Sequence, residues 1–210
     1  MYLSRLKLNP YNRTTREINM NPYLLHQAIY RAFSDAVVGG AGRVLYRLDI
    51  NREGNISLLV QSEKVPDWDK TELLKTCLEE PVDKPKDYPP ALKTGQMLYF
   101  CLRANPSVKK KDENKKNGYR LGLFNEDDQI QWLSKKGENG GFTLISCRTT
   151  PEGISRDDKR DEQILRHYAV RFEGILKINN HQLFETTIGS GIGSAKGFGF
   201  GLLSIAPVKE

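Results

Sequence analysis

An α+β fold built from two tandem units is predicted by three observations. Strand-like and helix-like stretches follow one another as β-α-β-β-(α)-β and then (β)-α-β-β-α-β. A polar, lysine-rich stretch at 105–118 separates the two series. The chain has 210 residues, enough for two small domains that each bury a core. The repeated order is that of the ferredoxin-like unit used by RNA-recognition modules. It gives an N-terminal domain over 1–104, a linker or loop over 105–118, and a C-terminal domain over 119–210.

The elements follow from local pattern. Tyr2 to Leu8 alternates as a strand. Asn21-Pro22 supplies an N-cap and a proline at the first helical position, so a helix runs from Pro22 to Val38 and stops at Gly39-Gly40. Arg43 to Ile50 and Ile56 to Gln61 form a hairpin about the turn Arg52-Glu53-Gly54-Asn55. Pro66 to Pro90 holds a short helix near Thr71 to Leu78. Met97 to Leu102 is a continuous apolar run, as for a strand buried on both faces. Tyr119 to Phe124 is a short strand, Asn125 to Lys136 a helix, and Phe142 to Cys147 a strand. Thr149 to Gln163 is polar and charged; Ile164 to Ile178 is a long strand. A helix from His181 to Ile188, a glycine-rich loop and a final strand from Phe200 to Ala206 complete the chain.

Composition excludes several classes. Charged residues make up 28% and apolar residues 38%, as in a globular protein. No apolar run approaches the ~18 residues of a membrane span. The N-terminus lacks the apolar core of a signal peptide, so a cytoplasmic protein is expected. Cys77, Cys101 and Cys147 are odd in number and widely spaced, which suggests reduced thiols rather than a disulfide framework or zinc site. The net charge of +6 favours a polyanionic partner.

Two features carry chemistry. The first is the glycine loop, where six of the thirteen residues from Gly189 to Gly201 are glycine and Lys196 sits among them. Glycines let successive N–H groups approach a bulky ligand, and a lysine nearby makes a cradle for phosphate oxygens. A dinucleotide fingerprint is excluded because a β-like stretch follows the loop and the chain then stops. A nucleotide P-loop is excluded because Lys196 is followed by Gly197 and Phe198. The second is the helix after Asn21. At about 100° per residue, Leu24, Leu25, Ala28, Ile29, Ala32 and Phe33 gather on one side. Tyr23, His26, Gln27, Tyr30, Arg31 and Ser34 gather on the other. A histidine, two phenols and an arginine on one face suit RNA cleavage by the 2′-hydroxyl, which needs a base, an acid and cations but no metal. A solvated helix face is the plain alternative.

Asn21-Pro-Tyr-Leu-Leu-His26, Leu102-Arg-Ala-Asn-Pro106 and the stretch from Gly191 to Pro207 resemble the CasE family, as does the opening Met-Tyr-Leu-Ser-Arg. These are CRISPR-RNA-processing endoribonucleases of type I-E systems. The resemblance implies a tandem ferredoxin-like fold and cutting without metal or cofactor on the 3′ side of a repeat stem-loop. The implied products are a 5′-hydroxyl and a 2′,3′-cyclic phosphate. It also implies that the enzyme stays on its product, with other subunits, in the Cascade complex.

By position, His26 matches the family's catalytic histidine, as general acid, and Tyr23 a tyrosine acting as base or positioning group. Arg31 falls where a basic residue steadies the phosphorane. Lys196 with Gly191, Gly193, Gly197 and Gly199 matches the loop that faces this helix and holds RNA backbone. Arg148, Arg156, Lys159, Arg160 and Arg166 fall in a variable region whose basic residues enter the stem's groove. Lys109-Lys110-Lys111 and Lys115-Lys116 either touch RNA phosphates or form a solvated loop, and His167 and His181 read as structural or surface histidines. Two other functions compete with the nuclease reading. One is an RNA-binding module without turnover. The other is a metal-dependent nuclease using Asp127, Asp128, Asp157 and Asp158.

Overall fold

The computed structural model describes residues 1–33, 40–89, 91–111, 119–158 and 164–208, with the backbone alone at 155–158 and 164–166. Two compact units emerge. The first comprises Met1–Pro90, Arg156–Arg166 and Lys196–Gly199; the second comprises Ala91–Ser155, His167–Ala195 and Phe200–Glu210. Among the described residues no helix is long and apolar enough to cross a membrane.

In the first unit, β1 (Tyr2–Leu8), β2 (Val44–Ile50), β3 (Ile56–Ser62) and a two-residue β4 (Lys86–Asp87) form a sheet in the order β2-β3-β1-β4. Strand β3 runs antiparallel to both long neighbours, with Leu58 opposite Leu6 on one side and Leu48 on the other. Alternation puts Leu6, Leu8, Ile56, Leu58, Val60, Val44 and Tyr46 into one core. Helices α1 (Arg13–Met20), α2 (Pro22–Arg31) and α3 (Glu72–Cys77) close that core with Ile18, Leu25, Ala28, Ile29, Leu74 and Cys77. Helix α1 is absent from the sequence reading because it buries only Thr15 and Ile18, too few residues to show a period. Its start is set by Asn12, whose side chain accepts from the Thr14 N–H. Helix α2 ends at Arg31, earlier than expected; residues 34–39 lie outside the described residues.

In the second unit, β5 (Met97–Ala104), β8 (Phe142–Asp158), β9 (Ile164–Ile178) and β10 (Leu203–Pro207) form a sheet in the order β10-β5-β9-β8. Helices α4 (Glu126–Gly140) and α5 (His181–Ser190) supply Trp132, Leu133, Phe184 and Ile188 to its core. Asn125 caps α4 by accepting from the Asp127 and Asp128 N–H groups, and Gly141, at φ +78°, ends it. A separate two-stranded ribbon, β6 (Ser107–Lys110) and β7 (Tyr119–Gly122), is inserted between β5 and α4.

Each unit therefore has the β-α-β-β-α-β order with its first and third strands central, the ferredoxin-like arrangement. The expected partition of the strands differs by one. The boundary falls at Pro90/Ala91, not at 105–118. Strand β5, read as the last strand of the first domain, pairs with β9 and β10 in the second sheet. The prolines at 81, 85, 89 and 90 leave room only for the short β4, because proline has no N–H for a ladder. Ser107–Lys110, in the first part of the lysine-rich stretch, is one strand of a ribbon and Tyr119–Gly122 is its second; residues 112–118, with Lys115 and Lys116, lie outside the described residues. Strand β5 is not buried on both faces: Leu98, Phe100 and Leu102 are buried, while Met97 and Tyr99 are exposed. Strand β8 runs on through Thr149–Asp158, which the polar sequence concealed.

Candidate active site

The site grows from the way α2 is started and sided. The Asn21 side chain accepts from the Leu24 N–H at 3.0 Å, and Pro22 occupies the first turn. Leu25, Ala28 and Ile29 face the core, and burying each of the two larger side chains is worth ~1.5–3 kcal/mol. Their burial fixes the rotation of the helix. Tyr23, Gln27 and Arg31 are left exposed, and His26 and Tyr30 lie half-buried at the edge of the apolar stripe.

His26 is packed on two sides by phenols. Its ring centroid is 4.2 Å from that of Tyr30, at 38° between planes, and 6.5 Å from that of Tyr46. Over it lies a 3-10 turn, Lys196–Phe198, which packs against α2 and β2. A Cβ placed on Gly197 would stand 3.6 Å from His26 Cε1 and 3.7 Å from Nδ1, so the turn's backbone lies against the imidazole. Tyr46 holds the turn there. Its hydroxyl donates to the Gly197 carbonyl at 2.8 Å, with the Pro22 carbonyl 3.4 Å away. Ala195 at φ +60° and Gly199 at φ +79° bracket the turn. An alanine in the left-handed region costs ~1–2 kcal/mol, which the surrounding structure has to offset.

Tyr46 was not singled out in the sequence. Its signal was a phenol at an inward position of an alternating strand, because a buried hydroxyl needs an acceptor. Tyr30 is held above the ordinary phenol range by burial, with the nearby Arg43 guanidinium pulling the other way. It is therefore a neutral hydroxyl at physiological pH.

The other expected residues are placed as follows. Tyr23 Oη accepts from Gln27 Nε2 at 3.0 Å on the outer side of α2. Arg31 is exposed in the last turn, where helix carbonyls favour a cation. Lys196 opens the turn over His26 and is half-buried, whereas Gly199 is buried. Gly191 and Gly193 belong to the second unit, and packing there explains them. Gly191 ends α5 at φ +74°, and Gly193, at φ +87°, passes so close to Trp132 that a Cβ would meet its ring at 3.2 Å.

Arg148 stands exposed on β8 of the second unit, 3.7 Å from Glu173. The Arg156 side chain, Lys159 and Arg160 lie outside the described residues, as does the Arg166 side chain. Asp127 and Asp128 sit in the first turn of α4, where acids offset the helix dipole; the side chains of Asp157 and Asp158 are outside the described set. His167 and His181 are both in the second unit. His167 packs edge-on against Phe200 with ring centroids 5.8 Å apart, and His181 Nδ1 is 3.3 Å from Thr94 Oγ1.

The site can be set against known proteins. The profile of the CRISPR associated protein family matches residues 1–207. The CRISPR-associated endoribonuclease Cse3 of Thermus thermophilus is 34% identical over 223 residues, covering 99% of this chain and all of that one. The chain belongs to the CasE (Cse3) family of CRISPR-associated proteins. The Cascade subunit CasE of Escherichia coli is 29% identical, again with 99% of this chain and all of that one covered. Thermus thermophilus Cse3 bound to an RNA representing a pre-cleavage complex matches with a TM-score of 0.82 at 33% identity, covering 98% of each chain. The tandem ferredoxin-like fold expected from the sequence is thus the fold of this CasE-family protein.

Proposed function

We propose that this CasE-family protein is an endoribonuclease that cuts CRISPR precursor RNA on the 3′ side of the repeat stem-loop and then stays on the mature guide RNA. The observation that carries the reading is His26, a titratable imidazole half-exposed on α2 with the Lys196–Phe198 turn against it. The names of the relatives, an endoribonuclease and a Cascade subunit, support it.

In the proposed step the RNA 2′-oxygen attacks the adjacent phosphorus. An O2′–P bond forms, the P–O5′ bond breaks, and the products are a 2′,3′-cyclic phosphate and a 5′-hydroxyl. The 2′-hydroxyl proton passes to a base, with Tyr23 as base or as the group that positions the hydroxyl. The His26 imidazolium gives its proton to the leaving 5′-oxygen. Arg31 and Lys196 supply positive charge to the anionic phosphorane, and N–H groups of the glycine loop hold the backbone on either side. Gly197 and Gly199 serve that loop, Gly191 and Gly193 shape its start after α5, and Arg148, Arg156, Lys159 and Arg160 serve the stem. No metal or cofactor enters the step. The reaction takes place in the cytoplasm, with other Cascade subunits binding the product complex.

End-group analysis tests this. A repeat hairpin cut in excess EDTA is expected to yield a 5′-hydroxyl and a 2′,3′-cyclic phosphate. A single 2′-deoxy substitution on the 5′ side of the cut is expected to block the reaction. Loss of cutting in EDTA, or a 5′-phosphate product, would overturn the mechanism.

A further inference from the structure

The β6–β7 ribbon breaks a rule that exposed strand pairs obey. Its register places Lys109 directly opposite Arg120, and both are exposed. Like charges facing each other across a strand pair destabilise it. Among the described residues no carboxylate lies within ion-pair distance of either side chain, nor of Lys110 or Lys111. Residues 107–122 carry six basic residues against two acids.

The ribbon has little else to hold it. It is two-stranded, and pairs of this size are marginal in water. Val108, Leu121 and Tyr119, which share one face with Lys110, are 38%, 40% and 50% exposed. Its base is nevertheless fixed to the second unit. The Leu123 N–H donates to Pro106 O at 3.0 Å, Gln129 Nε2 donates to Leu123 O at 3.0 Å, and the Phe124 and Tyr168 rings lie 4.7 Å apart. An anchored arm therefore presents paired positive charge to solvent, against its own stability. A local conflict of this kind is expected where a ligand resolves it.

We infer that the ribbon is a phosphate-binding arm for RNA, in which Lys109 and Arg120 together grip the backbone and Lys110 and Lys111 extend the contact. The apolar side of the ribbon, Val108, Tyr119 and Leu121, is partly exposed and would suit a protein partner. Four cations with no nearby acid among the described residues favour a polyanion over a protein surface. The arm rests on RNA being the partner, and it is independent of how cleavage occurs.

The test is a salt titration of repeat-hairpin RNA affinity for wild type, K109Q/R120Q and the charge-preserving K109R/R120K. Each lost phosphate contact lowers the slope of log affinity against log salt by about 0.7–0.9. K109Q/R120Q is therefore expected to be shallower by about 1.4–1.8. K109R/R120K is expected to keep the wild-type slope. The melting temperature of K109Q/R120Q without RNA is expected to hold or rise, since the repulsion is gone. A wild-type slope in K109Q/R120Q overturns the arm, and so does loss of an acidic protein partner with RNA affinity intact. Wild-type protein that binds no RNA would instead sink the proposed function, which separates the two failures.

Discussion

Tyr46→Phe removes one atom and tests whether the turn over His26 has to be held. The ring stays, so the core contact with α2 is kept and no cavity forms. What is lost is the hydroxyl that donates to Gly197 O at 2.8 Å. A neutral hydrogen bond of this kind contributes about 1 kcal/mol net. For a chain of this size that is ~2–4 °C in melting temperature. The same free energy sets the rate effect. If the turn must be seated against the imidazole when the phosphorane forms, releasing it slows cleavage about fivefold. Single-turnover cleavage at saturating protein measures that rate, and a binding titration run beside it measures affinity. The expected pattern is a slower rate, an affinity within about twofold of wild type, and a small fall in melting temperature. A wild-type rate with the full loss of stability would make Tyr46 a core residue and nothing more. Lost affinity at an unchanged saturated rate would refute the positioning role as well.

Three further outcomes follow from the same packing. Gly197→Ala introduces a methyl at ordinary contact distance from His26, 3.6 Å from Cε1, and Gly197 is not among the positive-φ glycines. It is expected to fold with a melting temperature near wild type yet cleave at least several-fold more slowly, because the methyl fills space over the imidazole; normal cleavage would contradict the placement of the turn. Gly141→Ala, at φ +78°, drives a Cβ into Asn180 O and is expected to cost ~1–3 kcal/mol by urea unfolding. Burial, with Glu126 adding to it, pushes the Cys147 thiol up to about 11. Its thiolate fraction is therefore small at neutral pH, and alkylation of Cys147 followed by mass spectrometry is expected to rise about tenfold per pH unit until near that value. A plateau at pH 8–9 would contradict the shift.

The sequence made the local elements legible where burial has a period. Strands β1, β2, β3 and β9 and helix α5 could be read because apolar and polar residues alternate or recur on one face. Pairing was not legible. Met97–Ala104 has the same pattern whether it closes the first sheet or opens the second, and only its pairing with β9 and β10 decides between them. The site was legible where chemistry and spacing coincide. His26 and the Lys196 loop carry residue types that a core does not require. Tyr46 escaped notice because a tyrosine in a strand is ordinary, and its role depends on a hydrogen bond to a residue 151 positions away. Gly191 and Gly193 show the converse. Read as phosphate-binding glycines, they have sufficient cause in a helix end and in the ring of Trp132.

The most direct measurement concerns the imidazole itself. His26→Ala is assayed for single-turnover cleavage of the repeat hairpin and for affinity toward the same RNA. Loss of a general acid removes about 10²–10⁴ in rate, and the affinity is expected to stay within a few-fold of wild type. A His26→Ala protein that cuts at the parental rate would place the proton donor elsewhere and undo the account.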